Sequence, residues 1–173
     1  CATQRIKDIA NNLLRNPQGL RPSLSLFPVI DSLVAEKRLQ FGSESRLGIA
    51  FVSSDENQAL AAKVDPIALK RVLSNLINNA VEALTAPGNV TVSLTPECGT
   101  KVRITVQDDG RGIPAELLPS LGERGMSFGK ENSESGSGLG VYHAVTTLQS
   151  WGGSLEVSSR PGVGTAFSLI LPR

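Results

Sequence analysis

The stretch that most limits the fold is DPIALKRVLSNLINNAVEAL, Asp65 to Leu84. Asp65 followed by Pro66 marks a helix start. The aspartate offers a side-chain oxygen to the first free amides, and proline lacks only an N–H that the first turn leaves unpaired anyway. Leu69, Val72, Leu73, Leu76, Ala80 and Leu84 recur at helical spacing and make one apolar stripe. Such a helix must lie against another layer, because its stability comes from burying that stripe. Pro87-Gly88 stops it. Asn75 and Asn79, four apart, run along one edge of the stripe, and Glu82 follows three residues on. Asparagine is a poor helix former, so three within five residues (75, 78 and 79) need a reason. Two readings stay open on this segment: a row of oxygens suited to a hard cation such as Mg²⁺, or polar residues flanking a core helix.

Around this helix the chain reads as short elements. Residues 5–14, RIKDIANNLL, have helical spacing but only about three turns, too few to be stable alone. Phe27 to Phe41 is predicted helical, with Val29, Ile30, Leu33, Val34 and Leu39 inward. Leu47–Val52 and Ala61–Val64 read as short strands, and Val90–Leu94 and Lys101–Val106 as a hairpin. Ser120–Ser137 is a long polar stretch without apolar period. Leu139–Trp151 is helical up to Gly152-Gly153, and Ser154–Ser158 and Thr165–Leu171 are the last strands. Strands pair locally instead of alternating one-for-one with helices. That predicts an α+β two-layer sandwich, a largely antiparallel sheet covered on one face by helices.

Composition narrows the function classes. The 173 residues are 40% hydrophobic, 19% charged and only 4% aromatic, with a net charge of +1. This suits a soluble globular domain with an aliphatic core and offers no electrostatic case for nucleic acid or an anionic membrane. No apolar run approaches the ~18 residues of a membrane span, and there is no signal-peptide pattern. Cys1, Cys98 and the single histidine, His143, cannot supply a zinc site at any usual spacing. A chain that begins at Cys1 rather than Met is expected to be part of a longer protein.

Two glycine motifs carry the chemistry. In VQDDGRGIP, Val106 to Pro114, Gly110 and Gly112 permit close backbone approach, and Asp108 stands where a strand ends. A carboxylate there can accept a hydrogen bond from an amino group; it can also belong to a plain Asp-Gly turn. GSGLG, Gly136 to Gly140, leads into a helix, and glycine-rich backbone at a helix start suits an anion. It is neither a Walker loop nor a dinucleotide fingerprint, since the GK[ST] is missing and a long polar loop, not a strand, precedes it. Gly125-Met126-Ser127-Phe128-Gly129 spells G-x-S-x-G, but the strand and helix that a nucleophile elbow requires do not flank it.

The order of these motifs resembles the catalytic ATP-binding domain of bacterial sensor histidine kinases, of the Bergerat-fold superfamily with DNA gyrase, the ninety-kilodalton heat-shock chaperones and the MutL mismatch-repair proteins. The resemblance runs over Phe27–Arg173 and implies the Bergerat fold, with a mixed, mostly antiparallel sheet. NLINNA is similar to the family's N box, which implies that Asn79 coordinates Mg²⁺ and Asn75 lies beside the phosphates. DDGRGIP is similar to the G1 box: Asp108 would bind the adenine amino group, with Gly110, Gly112 and Ile113 shaping the pocket. GSGLG is similar to the G2 box, with Gly136, Gly138, Leu139 and Gly140 near the phosphates. Ser120–Ser137 would be the ATP lid, Lys130 its phosphate-reaching lysine and Arg124 a helper. Thr165, in Gly164-Thr165, would approach the adenine.

Residues 1–18 resemble the end of the second helix of the family's dimerisation and phosphotransfer domain, with 19–26 as linker and 27–173 as the catalytic domain. The resemblance implies a cytoplasmic kinase that passes the γ-phosphoryl group of ATP to a histidine outside this chain and then to a response-regulator receiver domain. It also implies a homodimer through helices missing here. Hydrolysing members of the superfamily carry a general-base glutamate four residues before the Mg²⁺ asparagine. Asn75 stands there, and an amide cannot take a proton from water. A serine-protein kinase of the anti-sigma-factor type, or a nucleotide-binding module without transferase activity, are the alternatives on the same fold. His143, without an acidic neighbour, reads as structural.

Overall fold

In the computed structural model, which describes residues 22–42, 47–85, 87–123 and 139–173, the long helix forms as its ends dictate. Asp65 Oδ1 accepts the Ala68 N–H at 2.7 Å, Pro66 opens the first turn, and the helix, α2, runs over Pro66–Ala83. Leu69, Val72, Leu73, Leu76 and Ala80 are buried as predicted, joined by Ile77.

Before α2 come β1 (Leu24–Ser25), α1 (Leu26–Phe41), β2 (Leu47–Val52) and β3 (Ala61–Ala62); after it come β4 (Gly88–Glu97), β5 (Lys101–Asp108), α3 (Leu139–Ser150), β6 (Ser154–Arg160) and β7 (Gly164–Pro172). Short 3-10 turns occupy Asp55–Ala59 and Ala115–Ser120. The main sheet has the order β2-β4-β5-β7-β6. Its β2–β4 pair is parallel, with α2 in the crossover between them, and the other three pairs are antiparallel. The α+β sandwich with a mixed, mostly antiparallel sheet is therefore the observed architecture.

Several boundaries differ from expectation. The strand predicted over Ala61–Val64 is only Ala61–Ala62, because Val64 N–H turns back to the Ala62 carbonyl ahead of the helix cap. It pairs not with the main sheet but with β1. Leu26 is fully buried and its N–H donates to the Leu60 carbonyl, so the packed body begins upstream of Phe27. Leu39 does not face inward; it is 85% exposed. The buried face of α1 is Leu26, Ile30, Leu33, Val34 and Lys37, so a lysine holds the position that the apolar pattern assigned to the leucine. Residues 1–21, with the helix predicted at 5–14, lie outside the described residues.

Register decides what the helices cover. Beside the end row of Val102 and Leu171, three further cross-strand rows lie on the buried face. Leu94, Ile104, Leu169 and Leu155 form one; Phe51, Val92, Val106, Phe167 and Val157 form the next. The third starts apolar with Ile49 and Val90 and then turns polar, with Asp108, Thr165 and Ser159. A buried face that turns polar in one corner needs partners there.

Candidate functional site

Asp108 ends β5 and is only 4% exposed. Its Oδ1 accepts the Gly110 N–H at 2.9 Å and the Thr165 N–H at 3.3 Å, so both of these donors converge on one oxygen. Burial pushes its carboxyl up from the ordinary aspartate value, against the pull of those two amide bonds. Its neighbour Asp109 points the other way and is held by Asn89, whose backbone and side-chain N–H groups donate to Oδ1 and Oδ2 at 2.7 and 3.0 Å.

The loop after Asp108 is pinned on both sides. The Arg111 N–H donates to the Ala83 carbonyl, tying the loop to the C-terminal end of α2, and the Gly162 N–H donates to the Arg111 carbonyl. Gly112 has φ +68°, and a Cβ there would lie 2.2 Å from the Arg160 carbonyl oxygen. At Gly164, φ +132°, a Cβ would fall 2.0 Å from the Asp108 carbonyl oxygen. Both positions need glycine for conformation and for space. The Ile113 N–H donates to Ser159 Oγ at 2.8 Å, Ser159 Oγ donates to the Gly164 carbonyl at 3.0 Å, and Ser159 Oγ lies 2.9 Å from Thr165 Oγ1.

On α2 the asparagines separate. Asn75 and Asn79 are half-buried and face the start of α3: a Cβ on Gly140 would lie 3.7 Å from Asn79 Nδ2 and 3.8 Å from Asn75 Cβ. The start of α3, whose first amides are unpaired within the helix, therefore packs beside both asparagine side chains. Leu139, the first residue of that helix, is 43% exposed. Asn78 turns instead to α1, where its Oδ1 accepts from Lys37 Nζ at 2.7 Å. That ammonium also donates to Gln40 Oε1 at 2.8 Å and stands 5.7 Å from the Phe41 ring centroid. Lys37 is 6% exposed, and burial lowers its pKa from the ordinary lysine value.

Of the residues singled out in the sequence, Asn75, Asn79 and Gly140 stand together, and Asp108, Gly110, Gly112, Ile113 and Thr165 form a second group bridged to α2 through Ala83. Lys130, Gly136 and Gly138, with Arg124 and Ser127, lie outside the described residues. Sequence reasoning missed Ser159, although the alternation Leu155, Val157, Ser159 already places it on the buried face. His143 lies on α3 with its Nδ1 buried and no hydrogen-bond partner among the described residues.

The two groups have different chemistry. Asp108 is an acceptor for an N–H donor. Asn75, Asn79 and the helix start offer amide oxygens for a hard cation and amide hydrogens for an anion. Among the described residues there is no group of three or more His, Cys, Asp or Glu side chains able to hold a metal, and no helix long and apolar enough to cross a membrane.

Known proteins resemble this chain in sequence and fold. Residues 64–173 match the family of histidine kinase-, DNA gyrase B-, and HSP90-like ATPases, and the chain belongs to that family. It is 31% identical over 170 residues to sporulation kinase A of Bacillus subtilis (strain 168), an alignment covering 98% of this chain and 27% of that protein. It is 30% identical over 173 residues to the signal transduction histidine-protein kinase AfsQ2 of Streptomyces coelicolor, covering 99% of this chain and 31% of that one. The chain thus spans less than a third of these curated relatives. Among solved structures, the nucleotide-free catalytic domain of the histidine kinase ThkA matches with a TM-score of 0.68 and 25% identity over 88% of this chain and 95% of that one.

Proposed function

We propose that the chain is the catalytic part of a sensor histidine kinase: it binds Mg²⁺·ATP and donates the γ-phosphoryl group to a histidine outside the chain, from which a response-regulator receiver domain takes it. The observation that carries this reading is the pairing of Asn75 and Asn79 with the start of α3, on the helix whose last turn is tied to the Asp108 loop. In it Asp108 accepts the adenine amino group, and Gly110, Gly112, Ile113 and Thr165 shape the base pocket. The amide oxygen of Asn79 holds the metal, Asn75 lies beside the phosphates, and Gly136, Gly138, Leu139 and Gly140 offer backbone N–H groups to them. Lys130 neutralises phosphate charge from the lid.

The donor set fits Mg²⁺, which takes a few hard oxygens from protein and the rest from phosphate and water. Bound there, Mg²⁺ would neutralise charge on the transferring phosphates. The chain's own work is positioning. Asn75, an amide, supplies no base for water at that position, which favours transfer to a protein over hydrolysis. Residues 1–18 belong, in this reading, to the dimerising helix of a cytoplasmic homodimer, and the packed body from β1 onward forms the catalytic domain.

The test is calorimetric titration with a non-hydrolysable ATP analogue, with and without Mg²⁺, on wild type and Asn79→Ala. Losing one bond to a charged group costs about 1.5–3 kcal/mol, so the variant should bind roughly 10- to 150-fold more weakly in Mg²⁺. It should equal wild type without the metal. Unchanged affinity in Mg²⁺ would sink the assignment.

A further inference from the structure

Ser159 is half-buried at the end of the polar row and belongs to none of the motifs above. Its hydroxyl has one proton and two lone pairs. The Ile113 N–H occupies one lone pair. The Gly164 carbonyl, 3.0 Å away, can only accept, so it takes the Ser159 proton; without it two oxygens would face each other lone pair to lone pair. The remaining contact, 2.9 Å to Thr165 Oγ1, admits either oxygen as donor taken alone. With the Ser159 proton already committed, the donor must be Thr165. Ser159 is then saturated, and the Thr165 hydroxyl has no proton left to offer elsewhere.

Thr165 faces Asp108 directly across β5 and β7 and is 4% exposed. Asp108 carries its two backbone N–H bonds on Oδ1. The corner therefore presents acceptors: a carboxylate and a hydroxyl whose proton points away. We infer that Ser159 is a positioning residue that sets the direction of the Thr165 hydroxyl and so makes the base pocket discriminate in favour of a purine with a 6-amino group over one with a 6-oxo group. The inference rests on the nucleotide reading of the site. An amino group can donate to both acceptors; a 6-oxo group meets lone pairs, and its burial leaves acceptors unpaired.

Ser159→Ala frees the Thr165 hydroxyl to turn and donate to a 6-oxo group. It also removes partners from Ile113 and Gly164, a loss that weakens both kinds of nucleotide alike. The ratio of affinities isolates the specificity effect. Dissociation constants for Mg²⁺·ATP and Mg²⁺·ITP, which differ in the base only at position 6 and the adjacent N1–H, should be measured for wild type, Ser159→Ala, Ser159→Thr and Thr165→Val, and for Ser159→Ala in the Thr165→Val background. Wild type should prefer ATP, Ser159→Ala should lose about tenfold of that preference, and Ser159→Thr, which keeps the hydroxyl, should retain it. In the Thr165→Val background the alanine change should leave the ratio unmoved. If Ser159→Ala does not fold, judged by its thermal melt, Ser159→Cys keeps the bulk with a weak acceptor and should shift the ratio the same way. An unchanged ratio in a folded variant, both nucleotides weakening together, overturns the inference while leaving the nucleotide reading standing. Failure of wild type to bind either nucleotide overturns both.

Discussion

Among the pairs of identical neighbours in the chain, two set a fold role beside a site role. Asn78 and Asn79 are neighbours on α2; Asp108 and Asp109 are neighbours at the end of β5. In each pair one residue is tied into the fold and the other faces the candidate site. Asn78 holds the Lys37 ammonium, whereas Asn79 lies by the start of α3. Asp109 is held by Asn89, whereas Asp108 is sealed into the buried row. The geometry that separates them differs. On the helix a step of one residue turns the side chain by about 100°, enough to move it from the α1 side to the α3 side. On the strand the same step turns it to the opposite face. Composition is the same within each pair; the angle set by secondary structure assigns the role.

The contrast can be broken most sharply at the aspartates. Asp108→Asn keeps an oxygen for the two amides at Oδ1 but turns the other acceptor into a donor. ATP affinity should fall by roughly 100-fold, somewhat more than a single charged hydrogen bond, about 1.5–3 kcal/mol, would cost on average. Stability should hold or rise, because burial already disfavours the ionised carboxyl. Asp109→Ala should do the reverse: nucleotide affinity within about threefold of wild type, but a loss of about 1–2 kcal/mol in urea unfolding as Asn89 loses two acceptors. Loss of binding in both variants, or in neither, would erase the distinction.

A smaller effect separates the asparagines. Asn78→Ala removes an acceptor from a buried ammonium, and stability should drop by about 1–3 kcal/mol while Mg²⁺-dependent ATP binding stays intact. Lys37→Met should partly rescue Asn78→Ala, since the desolvated charge leaves with its partner. A double variant as unstable as the sum of the two single changes would show that the two residues act independently.

The smallest effect is one of pH. The Asp108 carboxyl has a folded pKa raised above its unfolded one, so the folded state binds the proton more tightly. Its contribution to stability is greatest below the unfolded value, about 3.9, declines as pH rises toward the folded value, and is flat above it. Asp108→Asn should remove that slope. Unfolding free energies of the two proteins should diverge over this interval and run parallel at higher pH; parallel curves throughout would contradict a raised carboxyl.

Much of this is legible in the sequence. Asp65-Pro66, the α2 stripe and the Asp108 loop are local signals, because a cap, a period and a turn each depend on residues a few positions apart. The family resemblance came from the order of those local signals. The rows of the sheet were not readable in the same way, since the Asp108–Thr165 contact depends on a register fixed 57 residues away. Ser159 fell just past the predicted end of the β6 strand, at Ser158, while the strand itself continues to Arg160. Leu39 and Lys37 deceived the pattern for another reason. Lysine reads as surface, but a long stem capped by Asn78, Gln40 and an aromatic ring lets it lie under α2.

One topological detail has a kinetic side. β4 with β5 and β6 with β7 are hairpins of neighbouring strands, the kind of unit that forms in about 1–10 μs. The β5–β7 pairing joins the two across a long stretch of chain, so closing it carries the larger loop-entropy cost. Asp108 and Thr165 lie on opposite sides of that seam. In the proposed reading, a partly folded chain with both hairpins made but the seam open lacks the base pocket. Nucleotide would therefore bind only the closed sheet and act as a clasp across it, slowing amide exchange first along β5 and β7 and raising the melting point with ligand concentration.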